Sequence, residues 1–170
     1  LNEAAPAQAA TPPTPATLVT SARRIRLEVG RLDDRCLAAV LGLVSRHPPF
    51  VAYAFGLMVH NLGQQLRHGA NVLAIADGRL VAYAGWLRVD LQAARSWQRG
   101  ERGIPEEDWE QGGAAIVTVV VADEPGCIPA LLHGISHVCA GLPVYRMRSF
   151  QDGRPDMRRP PIVGRRQVFA

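Results

Sequence analysis

Five histidines, His47, His60, His68, His133 and His137, are the side chains of this 170-residue chain best suited to proton exchange near neutral pH. His133 and His137 stand four apart, the spacing at which one helix face could offer two metal ligands. No Glu lies between them as in H-E-x-x-H, and no third ligand is evident, so no metal is expected. Cys36, Cys127 and Cys139 form no C-x-x-C pair, and their odd number argues against a disulfide framework, leaving reduced thiols. All 19 basic residues are arginine and the net charge is +4, yet no reading helix or aromatic platform accompanies them. An acidic protein partner explains a basic face without nucleic acid. A lysine-modifying enzyme would gain by lacking lysines, but GC-rich coding gives the same composition.

Elements must hold these groups in place. The length fits one domain with one core, and a hydrophobic fraction of 48% is that of a globular protein. No apolar run approaches the roughly 20 residues that a membrane span needs. The start lacks a basic flank followed by an apolar core, so a cytoplasmic location is expected. Residues 1–20 are Ala, Pro and Thr with few large side chains and read as a flexible tail, leaving 21–170 as the domain. Leu32 to Ser45 has a helical apolar spacing behind Asp33 and Asp34, and Pro48-Pro49 breaks it before a second helix from Phe50 to Arg67. Two strands flank the turn dipeptide Asp77-Gly78 between Asn71 and Asp90. Leu91 to Gly113 is polar and reads as a long functional loop. Ala114 to Ala122 is a continuous β-branched run, the pattern of a central strand buried on both faces, ended by Asp123-Glu124-Pro125-Gly126. A helix from Cys127 to Ala140 and strands from Val144 to Phe150 and Ile162 to Phe169 complete an α+β layout, a sheet packed against helices.

The run from Asn61 through Val81-Ala82-Tyr83-Ala84-Gly85-Trp86 resembles the toxin-activating lysine acyltransferases, whose strand motif is V-A-Y-x-x-W. Asp108-Trp109, the strand into Asp123-Glu124-Pro125-Gly126, and Tyr145-Arg146-Met147-Arg148 follow the same layout, so the similarity spans roughly residues 40 to 167. The resemblance implies a GNAT-like acyltransferase fold with a mixed, mainly antiparallel sheet. It also implies a fatty acyl group moved from acyl carrier protein to a lysine, or another amine, of a protoxin or precursor peptide.

Acyl transfer to an amine needs a base and a donor for the thioester oxyanion. By resemblance His47 is the base and Asn61 the oxyanion donor; Ser45, Tyr83, Trp86, Val120 and Val121 are the substrate-binding candidates, with Tyr83 and Trp86 read most simply as core strand residues and Ser45 as a helix-terminal hydroxyl. The family's catalytic aspartate sits inside the central strand, where this chain has Thr118 and Val119; Asp123 is the nearby substitute. An acyl-CoA enzyme of the fold uses a Gly-rich basic turn after that strand to hold a pyrophosphate. Two acids and a proline without N–H oppose one, which points to acyl-carrier thioester as the donor and to no permanently bound cofactor. A homodimer is left open. Two other readings stand beside the enzyme: a degenerate module that binds a carrier or peptide, and a small-molecule N-acyltransferase.

Overall fold

The computed structural model describes residues 24–101, 103–104, 109 and 112–147, and the backbone alone of 17–20, 23 and 162–164. Thr17–Thr20 (β1), inside the expected tail, pairs antiparallel with Arg23–Glu28 (β2). β2 escapes a reading that begins at the first helix, yet its alternation is plain: Arg24 and Arg26 are exposed while Ile25 and Leu27 are buried. Asp34–Val44 forms α1, with the Asp33 carboxylate accepting from the Cys36 N–H at 2.7 Å as its N-cap.

The second helix starts later than expected. After Pro48-Pro49 the chain closes one 3-10 turn over Phe50–Ala52, Tyr53 and Ala54 are extended, and α2 runs Phe55–Arg67. Asn71–Ala76 (β3) and Arg79–Val89 (β4) form the expected hairpin, with Asp77 and Gly78 both at positive φ. The expected loop opens instead with a helix, Leu91–Gln98 (α3). Asp90 caps it by accepting from the Ala93 N–H at 2.9 Å, and Ala93 and Ala94 are buried. A short, mostly polar helix with only alanines facing inward has little apolar signal, but the aspartate cap was readable.

Ala114–Ala122 (β5) leads through a 3-10 turn at Pro125–Cys127 into Ile128–Val138 (α4), followed by Val144–Arg146 (β6) and Ile162–Gly164 (β7). The rest of the last two expected strands lies outside the described residues. One sheet runs in the order β1-β2-β3-β4-β5-β6-β7, antiparallel except for the parallel β5–β6 pair. One face packs on α4 through Val72, Ala84, Trp86, Leu131 and Ile135. The other face packs on α1 and α2 through Leu43, Leu62, Tyr83 and Val119, and on α3 through Leu87, Ala94 and Ile116.

Two features of β5 set up the site. Gly85 pairs with Val119 and Trp86 with Val117, so Thr118 is an extra residue, a β-bulge. The burial pattern agrees: Ala115 and Val117 face the α4 side with Val120 and Ala122, while Ala114 and Ile116 face the other side with Val119 and Val121. Inward and outward positions change phase at Thr118. In addition, β6 pairs only with Ala115 to Val117. Beyond that point the β6-facing edge of β5 has no strand partner among the described residues.

Candidate active site

The C-terminal end of α1 meets the C-terminal end of β5. A backbone bond from the Asp123 N–H to the Val81 carbonyl, 2.9 Å, fixes Asp123 just past the strand. His47 is held by its own N–H to the Val44 carbonyl at 3.1 Å, and its carbonyl accepts from the Phe50 N–H at 2.9 Å. The two side chains meet, His47 Nε2 donating to Asp123 Oδ1 at 3.0 Å. A carboxylate only accepts, so Nε2 carries a hydrogen, and in the neutral ring the lone pair is on Nδ1.

Arg46, which sequence reasoning missed, grips the same carboxylate. Its Nε donates to Oδ1 at 3.2 Å and its Nη2 to Oδ2 at 2.6 Å, and Nη1 also donates to the Gly42 carbonyl. Its only sequence signal is its place next to His47 at a helix end. The Arg46 hydrogen bonds hold the Asp123 carboxyl below its ordinary range, desolvation works against them, and the His47 hydrogen bond adds to them. Asp123 is therefore ionised at neutral pH. The site is open, with side chains 50% (Arg46), 25% (His47) and 29% (Asp123) exposed.

This geometry carries a stability prediction. A folded pKa below the unfolded one contributes stability that is present above the unfolded value and lost as pH falls through the folded one. Asp123→Asn should cost up to about 1 kcal/mol at pH 7, the range of exposed ion pairs. The gap to the parent chain should close in acid, below the carboxylate's folded pKa. Thermal unfolding of both proteins at pH 7 and pH 3 reads it; a gap equally wide at both would mean the ion pair contributes nothing.

No hydrogen bond joins Asn61 to His47 or Asp123 among the described residues. Asn61 lies mid-way along α2, its Oδ1 buried and without a hydrogen-bond partner. Ser45 is exposed at the end of α1, its N–H bonded to the Leu41 carbonyl at 2.9 Å. Tyr83 is wholly buried on the α1–α2 side and Trp86 is 2% exposed among the residues that pack on α4. Val121 is core, and Val120 is half-buried on the opposite face. His60 stacks obliquely beside Trp109, ring centroids 5.8 Å apart. His133 and His137 are exposed on α4, and among the described residues no three His, Cys, Asp or Glu side chains come together.

A second polar constellation lies at the bulge. Gln65 of α2 is 1% exposed; its Oε1 accepts from the Tyr83 hydroxyl at 2.8 Å, and its Nε2 donates to Thr118 Oγ1 at 2.8 Å. Burial pushes the Tyr83 phenol pKa up, so Tyr83 stays a neutral donor. Gly85 leaves the room for this amide, since a Cβ there would stand 2.0 Å from Gln65 Oε1. A shallow pocket opens alongside, lined by Gln65, His68, Trp86, Leu87 and Trp109. A glutamine in an otherwise apolar helix face was the available signal.

No protein family matches the sequence, and no curated protein matches it. Solved structures that share its fold include the following two. The loading GNATL domain of CurA from Lyngbya majuscula aligns at 11% identity and a TM-score of 0.56, over 74% of this chain and 65% of that one. The GphF GNAT-like decarboxylase in complex with isobutyryl-CoA aligns at 18% identity and a TM-score of 0.53, over 76% of this chain and 67% of that one. The chain thus spans less than two thirds of the first of these. With its parallel β5–β6 pair, its bulged β5 unpaired beyond Val117 on that side among the described residues, and its helices on both faces of the sheet, the chain has a GNAT-like fold.

Proposed function

We propose that the chain is an acyltransferase of the toxin-activating lysine acyltransferase type. It takes a fatty acyl group from acyl carrier protein and places it on a lysine, or another amine, of a protoxin or precursor peptide in the cytoplasm. The observation that carries this reading is the His47–Asp123 contact at 3.0 Å. It pairs a histidine and a carboxylate 76 residues apart in sequence although the family's strand carboxylate is missing. The open edge of β5 offers an extended thioester arm a place to lie, and His47 with its free Nδ1 is the base that takes the amine proton. The solved likenesses support acyl-thioester handling in a general way: one is a loading domain and the other holds isobutyryl-CoA.

Composition of the turn after β5 separates carrier from CoA. Asp123, Glu124 and Pro125 stand where a CoA pyrophosphate would need backbone N–H donors and positive charge. Turnover with acyl carrier protein should exceed that with free acyl-CoA by about 10-fold or more, the factor that roughly 1.4 kcal/mol of unfavourable contact produces. Equal rates with both donors would remove the carrier from the reading.

One observation favours a second reading, a carrier- or peptide-binding module without chemistry: Arg46 occupies both oxygens of Asp123 and neutralises the charge that would support an imidazolium. Intact-mass measurement of candidate acceptors, incubated with the protein and charged acyl carrier protein, distinguishes the two. An acyl mass increment supports the enzyme; carrier binding with no increment supports the module.

A further inference from the structure

We propose that the outer face of α1, α2 and the turn between them docks on an anionic lipid surface, with residues 51–57 entering the headgroup layer. Docking of this kind is independent of acyl transfer and goes beyond it.

Residues 51–57 read Val-Ala-Tyr-Ala-Phe-Gly-Leu; all seven are exposed, and none carries a charge or a side-chain amide. Phe55 is 75% exposed, Val51 64%, Leu57 52% and Tyr53 44%. A run of more than about three or four exposed apolar residues is a fault in a water-facing surface unless it meets something. The core is complete without these side chains: Met58, Leu62 and Leu66 fill the inward face of α2, and Phe50 packs half-buried on the same cluster. Nor is the run a loose loop. The Val51 N–H donates to the His47 carbonyl at 3.2 Å, the Ala52 N–H to the Pro49 carbonyl at 3.1 Å, the Tyr53 N–H to the Phe50 carbonyl at 3.0 Å and the Met58 N–H to the Ala54 carbonyl at 3.0 Å. The Tyr53 ring meets the Phe50 ring edge-on, centroids 5.4 Å apart. The backbone thus holds Val51, Phe55 and Leu57 outward in a fixed arrangement.

Charge selects the occupant. No acidic residue lies between Asp34 and Asp77. Over that span Arg35, Arg46 and Arg67 are exposed, and the α1 surface between the first two carries Ala38, Ala39 and Gly42. A surface built for water mixes both signs of charge. α1 has 11 residues and α2 has 13, about 16 and 20 Å of helix, so this acid-free face is broad. Carboxylates stand at its margins: Asp33 and Asp34 at the start of α1, and the Asp123-Glu124 turn, where Arg46 grips Asp123. A broad face with cations at its corners and protruding apolar side chains complements a bilayer of anionic lipids. Phe55 and Leu57 reach the acyl boundary, the Tyr53 hydroxyl stays among the headgroups, and the arginines meet phosphates. A folded protein has to provide a shaped recess for each protruding side chain, whereas a fluid lipid layer conforms to all of them.

The test sediments the full chain with vesicles of phosphatidylcholine, and with vesicles of equal parts phosphatidylcholine and phosphatidylglycerol, at low and high salt. Binding to the mixed vesicles should exceed that to phosphatidylcholine by about 10-fold or more and weaken as salt rises. Phe55→Ser combined with Leu57→Ser should reduce it by at least about 10-fold. Thermal unfolding of that variant should match the parent, since neither side chain belongs to the core. Three results overturn the proposal: a parent chain that stays in solution with both vesicles, equal binding to the two lipids, or binding to mixed vesicles that the double substitution does not weaken. If the parent ignores vesicles yet binds acyl carrier protein through Phe55 and Leu57, the face is a protein interface and lipid docking fails.

Discussion

His47→Ala is expected to slow acyl transfer at pH 7 by about 10² to 10⁴, the range for losing general base help, while carrier affinity stays nearly unchanged. The size of the loss should depend on pH in a diagnostic way. A lysine amine has an ordinary pKa of about 10.4, so at pH 7 only roughly one amine in a few thousand is free to attack. A base that removes the proton during attack matters most there. As pH rises toward 10 the acceptor loses its proton unaided, and the deficit of the variant should shrink by at least about tenfold. His47 is a quarter exposed and meets Asp123 at the protein surface, so alanine there removes no buried contact and should leave the fold intact. Rates measured with a charged carrier from pH 7 to 10 decide the matter. A deficit that stays constant across that range would assign His47 to binding or structure and remove it as the base.

Gly85→Ala should be the most damaging small change in the sheet. A Cβ at residue 85 would lie 2.0 Å from Gln65 Oε1, 2.5 Å from its Cδ and 2.9 Å from the Tyr83 hydroxyl. These are buried groups with nowhere to retreat: Gln65 is 1% exposed and Tyr83 wholly enclosed. Overpacking of this kind costs about 1–3 kcal/mol, and displacing the amide would leave buried polar atoms unsatisfied at about 1–3 kcal/mol more. A total of roughly 2–6 kcal/mol is expected, a large part of the stability of an ordinary domain. Denaturant unfolding at pH 7 measures it. A loss under about 1 kcal/mol would mean that the Gln65 network yields easily and is not held as tightly as its burial implies.

The hairpin, the central strand and three of the four α-helices among the described residues were legible because each carries its own period or punctuation: Asp77-Gly78 at the turn, Pro48-Pro49 at the break, unbroken β-branched residues through Ala114 to Ala122. α3 was not, because it buries alanines whose apolar signal is slight, and neither was β2, whose alternation puts only Ile25 and Leu27 between arginines. Of the candidate site, the reach of Asp123 toward His47 could be anticipated from the empty strand position. Arg46 could not, since nothing in a sequence says which of 19 arginines folds back on a given carboxylate. Gln65 and Thr118 are adjacent only because α2 crosses the bulge, a relation between residues 53 positions apart that no local pattern records.

The change of phase at Thr118 also bears on how this strand can be compared with others. A residue-by-residue alignment that runs ungapped through β5 will match inward with outward positions on one side of the bulge whenever the second strand lacks the extra residue. Val117 and Val119 look interchangeable in composition, yet they face opposite layers of the molecule. A carboxylate sought at a fixed offset along this strand therefore falls between Thr118 and Val119 without resolving to either. For β5 the meaningful coordinate is the face a side chain occupies, counted separately from each end of the strand toward the bulge.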